Sequence, residues 1–393
     1  MRYRYLLGAL AGAFLAGASL AQETVSFNKV VVNPEAEVVY AVDVADMNKD
    51  GKQDIIGISA TYVAWYENPS WKQHRIAEQY RNDNVCVAVH DIDGDGIPEL
   101  AVGADWQFNN TTGGGAVYLL KHKGDPTAAW EVLPLREPVP TLHRMRWADV
   151  DGDGKKELIV APLKGISSTP PNFDDKPTRI FALRQSASGD WEEETIDTSL
   201  HVCHNLWPWR ADGAKQDAIL TASYEGISLL RRINESWTKD VLAPGNYEAI
   251  PRAGAGEVKV TGAAPYMIAT IEPWHANQVV VYTMGSTPAD WKREVLDDSY
   301  AGGHAVSWGD FDGDGDQDLL AGHRDKSPAS KNAGLHVFEN TREDGWKKHL
   351  VDGAGMATED ALAVDVTGDG RIDIVAGGRA THNVVLYVNT GKK

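Results

Sequence analysis

The stretch Asp149–Glu157 reads DVDGDGKKE and runs straight into the apolar segment LIVAP. Alternating acids and glycines of this kind present oxygen atoms at positions 1, 3, 5 and 9, with a backbone carbonyl at 7 and a glycine at 6 for the sharp turn. Oxygen-only ligation suits calcium. An EF-hand is excluded, because its last acid stands at 12 and its flanks are helical, whereas here the flanks alternate like strands.

The pattern recurs as DMNKDGKQD from Asp46, DIDGDGIPE from Asp91, DFDGDGDQD from Asp310 and DVTGDGRID from Asp365, each followed by a short apolar run. The expected calcium ligands are therefore Asp46, Asn48, Asp50 and Asp54; Asp91, Asp93, Asp95 and Glu99; Asp149, Asp151, Asp153 and Glu157; Asp310, Asp312, Asp314 and Asp318; and Asp365, Thr367, Asp369 and Asp373. About five structural calcium ions would neutralise these carboxylates, which otherwise repel one another.

The first aspartates are 45, 58, 161 and 55 residues apart, so the long interval hides two further repeats. Their remnants are WRADGAKQDAILTAS (Trp209–Ser223) and GEVKVTGAAPYMIATIE (Gly256–Glu272), which keep the apolar run and have lost acids. Seven repeats of roughly 50 residues, each with several short strands, predict an all-β, seven-bladed β-propeller. Within a repeat the order is strand A, acidic loop, strand B, variable loop, strand C and a strand D that opens on Trp. The last repeat stops after VVLYVN without a strand D. The N-terminal FNKVVVN parallels WKKHLVD, so it is expected to complete the seventh blade and close the ring, which removes open edges.

Residues 1–21, with Arg2 and Arg4 before an apolar run and a small-residue stop at Ser19-Leu20-Ala21, have the pattern of a secretory signal peptide. The propeller is expected to occupy 22–393, in the periplasm or secreted. No later apolar run is long enough to span a membrane. Two cysteines, Cys86 and Cys203, are too few to make disulfides the main source of stability. A formal charge of −18 argues against nucleic acid and anionic membranes as partners.

A histidine stands six residues before the acidic loop at His143 and His304, and at the aligned position of the fourth repeat, six before Arg210, at His204. Strand A spans that interval at ~3.3 Å per residue, so these imidazoles lie about 20 Å from the cation, on the opposite, upper face. The upper loops add His275, His323, Arg324, His382, Tyr224, Glu225, Asp105 and Trp106. A single buried histidine is ordinarily a hydrogen-bonded structural residue. Six converging on one mouth are not what random placement gives. Several neutral imidazoles aimed at one point suit zinc or a similar divalent transition metal better than calcium. His74 and His349 on strand D read as packing or rim residues, and His90 as a support for its acidic loop.

The acidic loops resemble the FG-GAP/VCBS repeats of integrin-α-like propellers. The segments LHRMRWADVDGDGKKELIVAPL (Leu142–Leu163), ASYEGISLL (Ala222–Leu230), IEPWHANQVVVY (Ile271–Tyr282) and AGHRD (Ala321–Asp325) resemble the propeller domain of aldos-2-ulose dehydratases. That resemblance implies a carbohydrate lyase or dehydratase performing metal-assisted β-elimination on a keto-sugar such as 1,5-anhydrofructose or a 3-keto-glycoside. Seven-bladed polysaccharide lyases are similar in fold and in elimination chemistry. Elimination needs a base, a positive group at the enolate oxygen and an acid at the leaving oxygen. On this reading His204, His275 and His323 hold the transition metal, with His304 as a further ligand or alternative base. His143 is the base and Tyr224 the acid. Arg144, Lys164, Arg324, Trp106, Glu225 and His382 bind substrate. The competing reading is a non-catalytic, calcium-stabilised propeller that binds glycan or protein through the same upper face.

Overall fold

The computed structural model describes residues 25–392 apart from 79, 80, 249 and 288, so the expected signal peptide lies outside the described residues. The strands form seven four-stranded antiparallel sheets. Blade one comprises Val39–Ala45, Asp54–Ser59, Tyr62–Glu67 and Lys72–Glu78, hydrogen-bonded in that order. Five more blades repeat the order. The seventh is built from Thr358–Val364, Asp373–Gly378 and Val384–Lys392, with Val25–Asn33 as its outer strand. The N-terminal strand runs antiparallel to Val384–Lys392, so the ring closes as the sequence predicts. Blades four and five, whose loops have lost acids, are complete sheets. Among the described residues no helix is long and apolar enough to cross a membrane.

The core is distributed around the ring. Seven apolar clusters each join two neighbouring blades, from Ile56, Trp65, Val87 and Leu100 between blades one and two to Ile55, Tyr66, Val375 and Leu386 between blades seven and one. Strand B is sandwiched between sheets on both faces. That is why the apolar run after each acidic loop is continuous and not alternating, and why IIGIS, LAVGA, LIVAP, LLAGH and IVAGG are buried throughout. Cys86 and Cys203 are both free and buried.

The five acidic loops share one geometry. The glycine at position 6 is left-handed in every one, with φ of 85° at Gly51, 88° at Gly96, 90° at Gly154, 91° at Gly315 and 87° at Gly370. The carboxylate at position 9 is buried and accepts the backbone N–H of position 2 in all five, as in Met47 to Asp54 and Phe311 to Asp318. Acid ligands gather most tightly in blades two, three and six, at Asp91/Asp93/Glu99, Asp149/Asp151/Asp153 and Asp310/Asp312/Asp318. Asn48 and Thr367 replace acids in blades one and seven. In blade four Arg210 stands where the other loops open on an acid, donating to Asp217 at 2.8 Å and to Asp149 of blade three at 3.1 Å.

Candidate functional site

The residue six before each loop is the organising position of the upper face. Tyr40, Val85, His143, His304 and Glu359 all occupy it, and all five line one cavity of 320 Å³ at the mouth of the axial funnel. In blades one, three, six and seven the A–B pairing slips at this residue, between Val39 and Ala41, Leu142 and Arg144, Gly303 and Ala305, and Thr358 and Asp360. A bulge of this kind re-aims side chains, so His143 and the adjacent Arg144 both face the cavity. Trp106, Phe108, Leu163, Trp274, His275, Arg324 and Arg379 complete the wall from the B–C loops.

Each strand-A histidine is fixed by the next blade. His143 Nδ1 donates to the His204 carbonyl at 2.9 Å, His204 Nδ1 to the Gly256 carbonyl at 2.7 Å, and His304 Nδ1 to the Glu359 carbonyl at 2.5 Å. This sets one tautomer in all three and leaves each Nε2 with a free lone pair. Burial pushes His143, His275 and His304 well below the ordinary imidazole range, reinforced by the neighbouring guanidinium and imidazole charges. Burial lowers His204 as well, opposed by Glu257, whose Oε1 lies 3.2 Å from its Nδ1. The site is thus four neutral imidazoles at working pH.

His204, His275 and His304 bring one ligand atom each within 4.8 Å of one another and can hold a metal ion. The ring centroid of His143 is 4.5 Å from that of His204. His323 stands apart from the trio: its Nε2 contacts Ser330 Oγ at 3.3 Å and its ring packs on Tyr300 at 4.4 Å. The geometry therefore brings His304, and not His323, to His204 and His275. His382 is exposed on the rim and takes no part in the cavity.

Other expected residues are placed as follows. Tyr224 Oη donates to the Asn172 carbonyl at 3.2 Å, and burial raises its phenol above the ordinary range. Glu225 accepts from His201 and from Ser223 Oγ at 2.7 Å. Neither faces the cavity. Lys164 is buried behind the wall, its Nζ donating to the Phe108 carbonyl at 2.6 Å and lying 3.3 Å and 3.4 Å from the ring centres of Phe108 and Phe173. Burial pushes this amine down to about 7. Trp106 lines the cavity, and the indole N–H groups of Trp106 and Trp274 are buried with no hydrogen-bond partner among the described residues. Arg324 donates to both oxygens of Glu359 at 3.2 and 3.0 Å, and Arg379 donates to the same carboxylate at 2.8 Å. His74 stacks on Trp65 and bonds Glu67, while His349 bonds Glu339, as packing residues do.

Tyr40, Glu359, Glu257 and Arg379 were not anticipated. The signal for Tyr40 and Glu359 was present, since both stand at the register position that singled out the histidines. Counting histidines alone hid them.

Residues 114–285 match the family described as aldos-2-ulose dehydratase, beta-propeller domain; residues 46–102 match an FG-GAP-like repeat and 87–120 an FG-GAP repeat. A curated protein from Phanerodontia chrysosporium, named aldos-2-ulose dehydratase, is 26% identical over 268 residues, which is 62% of this chain. The match spans 28% of that relative's length. The chain carries FG-GAP repeats in a seven-bladed propeller distantly related to the propeller part of a sugar dehydratase.

Proposed function

We propose that this chain is an exported carbohydrate lyase or dehydratase that carries out metal-assisted β-elimination on a keto-sugar. The observation that carries the reading is the convergence of neutral His204, His275 and His304 on one point, with His275, His304 and the neighbouring His143 lining a sugar-sized cavity and His204 buried behind them. Cavities of this size bury a small ligand. A zinc-like ion bound there would polarise a substrate carbonyl and acidify the adjacent C–H.

The remaining steps fall to the chain's own groups. His143, neutral and with Nδ1 fixed on the His204 carbonyl, is set to accept that proton at Nε2. The acid role fits Tyr40 better than Tyr224, because Tyr40 lines the cavity whereas the Tyr224 hydroxyl is committed to Asn172. Trp106 and Trp274 offer an apolar wall to the sugar ring. The five acidic loops, on the far face, are proposed to bind structural calcium, and the leader to direct the propeller at 22–393 to the periplasm or exterior.

The test is metal analysis of purified protein together with an ultraviolet assay for an unsaturated product from 1,5-anhydrofructose or a 3-keto-glycoside. One transition metal per chain and product formation support the reading. A protein that contains calcium alone and forms no product would leave the binding-propeller reading in its place.

A further inference from the structure

Arg144 is 7% exposed, lines the funnel cavity, and has no carboxylate within ion-pair distance among the described residues; its side-chain hydrogen bond goes to the carbonyl of its own neighbour His143, at 3.2 Å. The other two guanidiniums of the cavity are spoken for, since Arg324 and Arg379 share Glu359. Below, a second cavity of 90 Å³ is lined by Asp43, Arg144, Arg146, Trp207 and Asp360. There Asp43 and Asp360 face Lys259, Arg144 and Arg146 together, Lys259 lying 3.9 Å from the Trp207 ring centre. Glu257 accepts from Asn205 and lies against the neutral His204. Around the two cavities the cations Arg144, Arg146, Lys259, Arg324 and Arg379 outnumber the carboxylates Asp43, Asp360, Glu257 and Glu359, and Arg144 is the guanidinium of the funnel wall with no carboxylate at ion-pair distance among the described residues. A divalent ion on the histidines would enlarge the positive excess. A buried guanidinium without an anion is costly, and its planar fork matches a carboxylate.

We infer that the funnel is built for an acidic sugar, a hexuronic acid or its keto derivative, whose carboxylate pairs with Arg144. The inference rests on the lyase reading of the same cavity and sharpens it: the neutral keto-sugars are poor mimics of the intended substrate. With the carboxylate on Arg144, the sugar ring lies against Trp106 and Trp274. The carbon next to the carboxylate comes to the His143 side of the cavity.

Calorimetric titration of the metal-loaded protein with D-glucuronate and D-galacturonate, beside D-glucose and D-galactose, decides it. The uronates should bind roughly 10- to 100-fold more tightly than the neutral sugars, the scale of one charge-assisted bidentate pair. Arg144→Met should reduce that preference to about threefold or less, and Arg144→Lys should restore it only in part. Equal binding of acidic and neutral sugars by the unmodified protein overturns the inference even if the Arg144 variants fail to fold. So does a preference that sodium acetate or chloride abolishes at equal concentration, which marks an unspecific anion site. Turnover of 1,5-anhydrofructose without uronate preference would sink the acidic-sugar assignment and leave the lyase reading standing. Uronate preference without metal or unsaturated product would do the reverse.

Discussion

His275 Nε2 lies 2.5 Å from His204 Nε2. Two imidazole nitrogens this close share a proton, and a zinc-like ion in its place would spread them to about 3.3 Å, while the Nδ1 of His204 is already committed to the Gly256 carbonyl. With His304 closing the trio, a zinc-like ion between them would relieve the repulsion of converging lone pairs. Substituting His204, His275 or His304 by alanine should each drop the transition-metal content well below one per chain. His323→Ala should leave it intact. His143→Ala should retain the metal and lose turnover by roughly 10²–10⁴-fold, the usual size of a general-base contribution. Elemental analysis and the product assay on the same preparations check both halves; full metal content in the His204, His275 and His304 variants refutes the trio.

The fold was legible because the acidic loop does two jobs at once. Its carboxylates mark each A–B turn, and its position-9 acid braces the turn's backbone, so DVDGDGKKE survives as a repeat while strands C and D drift. The site was legible only in part. Strand register placed His143, His204 and His304 on one face, because six residues along an extended strand is fixed geometry. His323 closes its strand B and Tyr224 sits on a B–C loop, where the side chain's direction depends on packing: His323 packs on Tyr300, and Tyr224 folds into the cluster of Leu163, Phe173 and Val202. No period in the sequence encodes that choice.

The acidic loops divide their labour. Asp318 Oδ2 accepts the Phe311 N–H and Oδ1 the Asn340 N–H, both at the core edge, whereas Asp314 is exposed. Asp318→Asn places an amide against a backbone donor and should cost about 1–3 kcal/mol for each unmet group, with or without calcium. Asp314→Asn in chelator should stay within about 0.5 kcal/mol of the unmodified protein. Chelation of the unmodified protein should lower the melting temperature, since Lys121, Arg184 and Lys392 compensate the loop acids only in part. Denaturant titrations in calcium and in chelator supply all these numbers, and an unchanged melting temperature on chelation would show the loops to be empty.

Lys164 gives the protein a pH signature. Burial lowers its folded pKa to about 7, below its value in the unfolded chain, so between those limits the unfolded state binds the extra proton. Stability from this group therefore rises with pH above about 7, and below that the full penalty of burying the charge applies. Lys164→Met should remove that slope, so the difference in unfolding free energy between variant and unmodified protein changes steadily from pH 7 to 10. The aromatic rings and the Phe108 carbonyl favour the charged amine, and a flat difference would mean that they hold it protonated throughout.

Ring closure depends on the first strand described. Val25–Asn33 pairs with Val384–Lys392, and the join is reinforced from both sides. Lys29 donates to Asp352 at 2.6 Å, which also accepts Tyr387 Oη at 2.9 Å, and Phe27 packs edge-on to Phe311 at 6.0 Å. Lys392, at the end of the partner strand, reaches back to Asp312 in the acidic loop of blade six at 2.6 Å. Removing residues 22–33 would strip the Lys29 and Phe27 contacts and leave Val384–Lys392 as an open edge with unpaired backbone groups. The truncated chain should melt at a temperature lower by on the order of 10 °C or more and should aggregate on heating. A synthetic peptide of residues 22–33 added in excess should recover most of the loss by supplying the strand in trans. If the truncated chain melts like the full one, the other six blades hold the ring without a latch, and blade seven is complete with three strands.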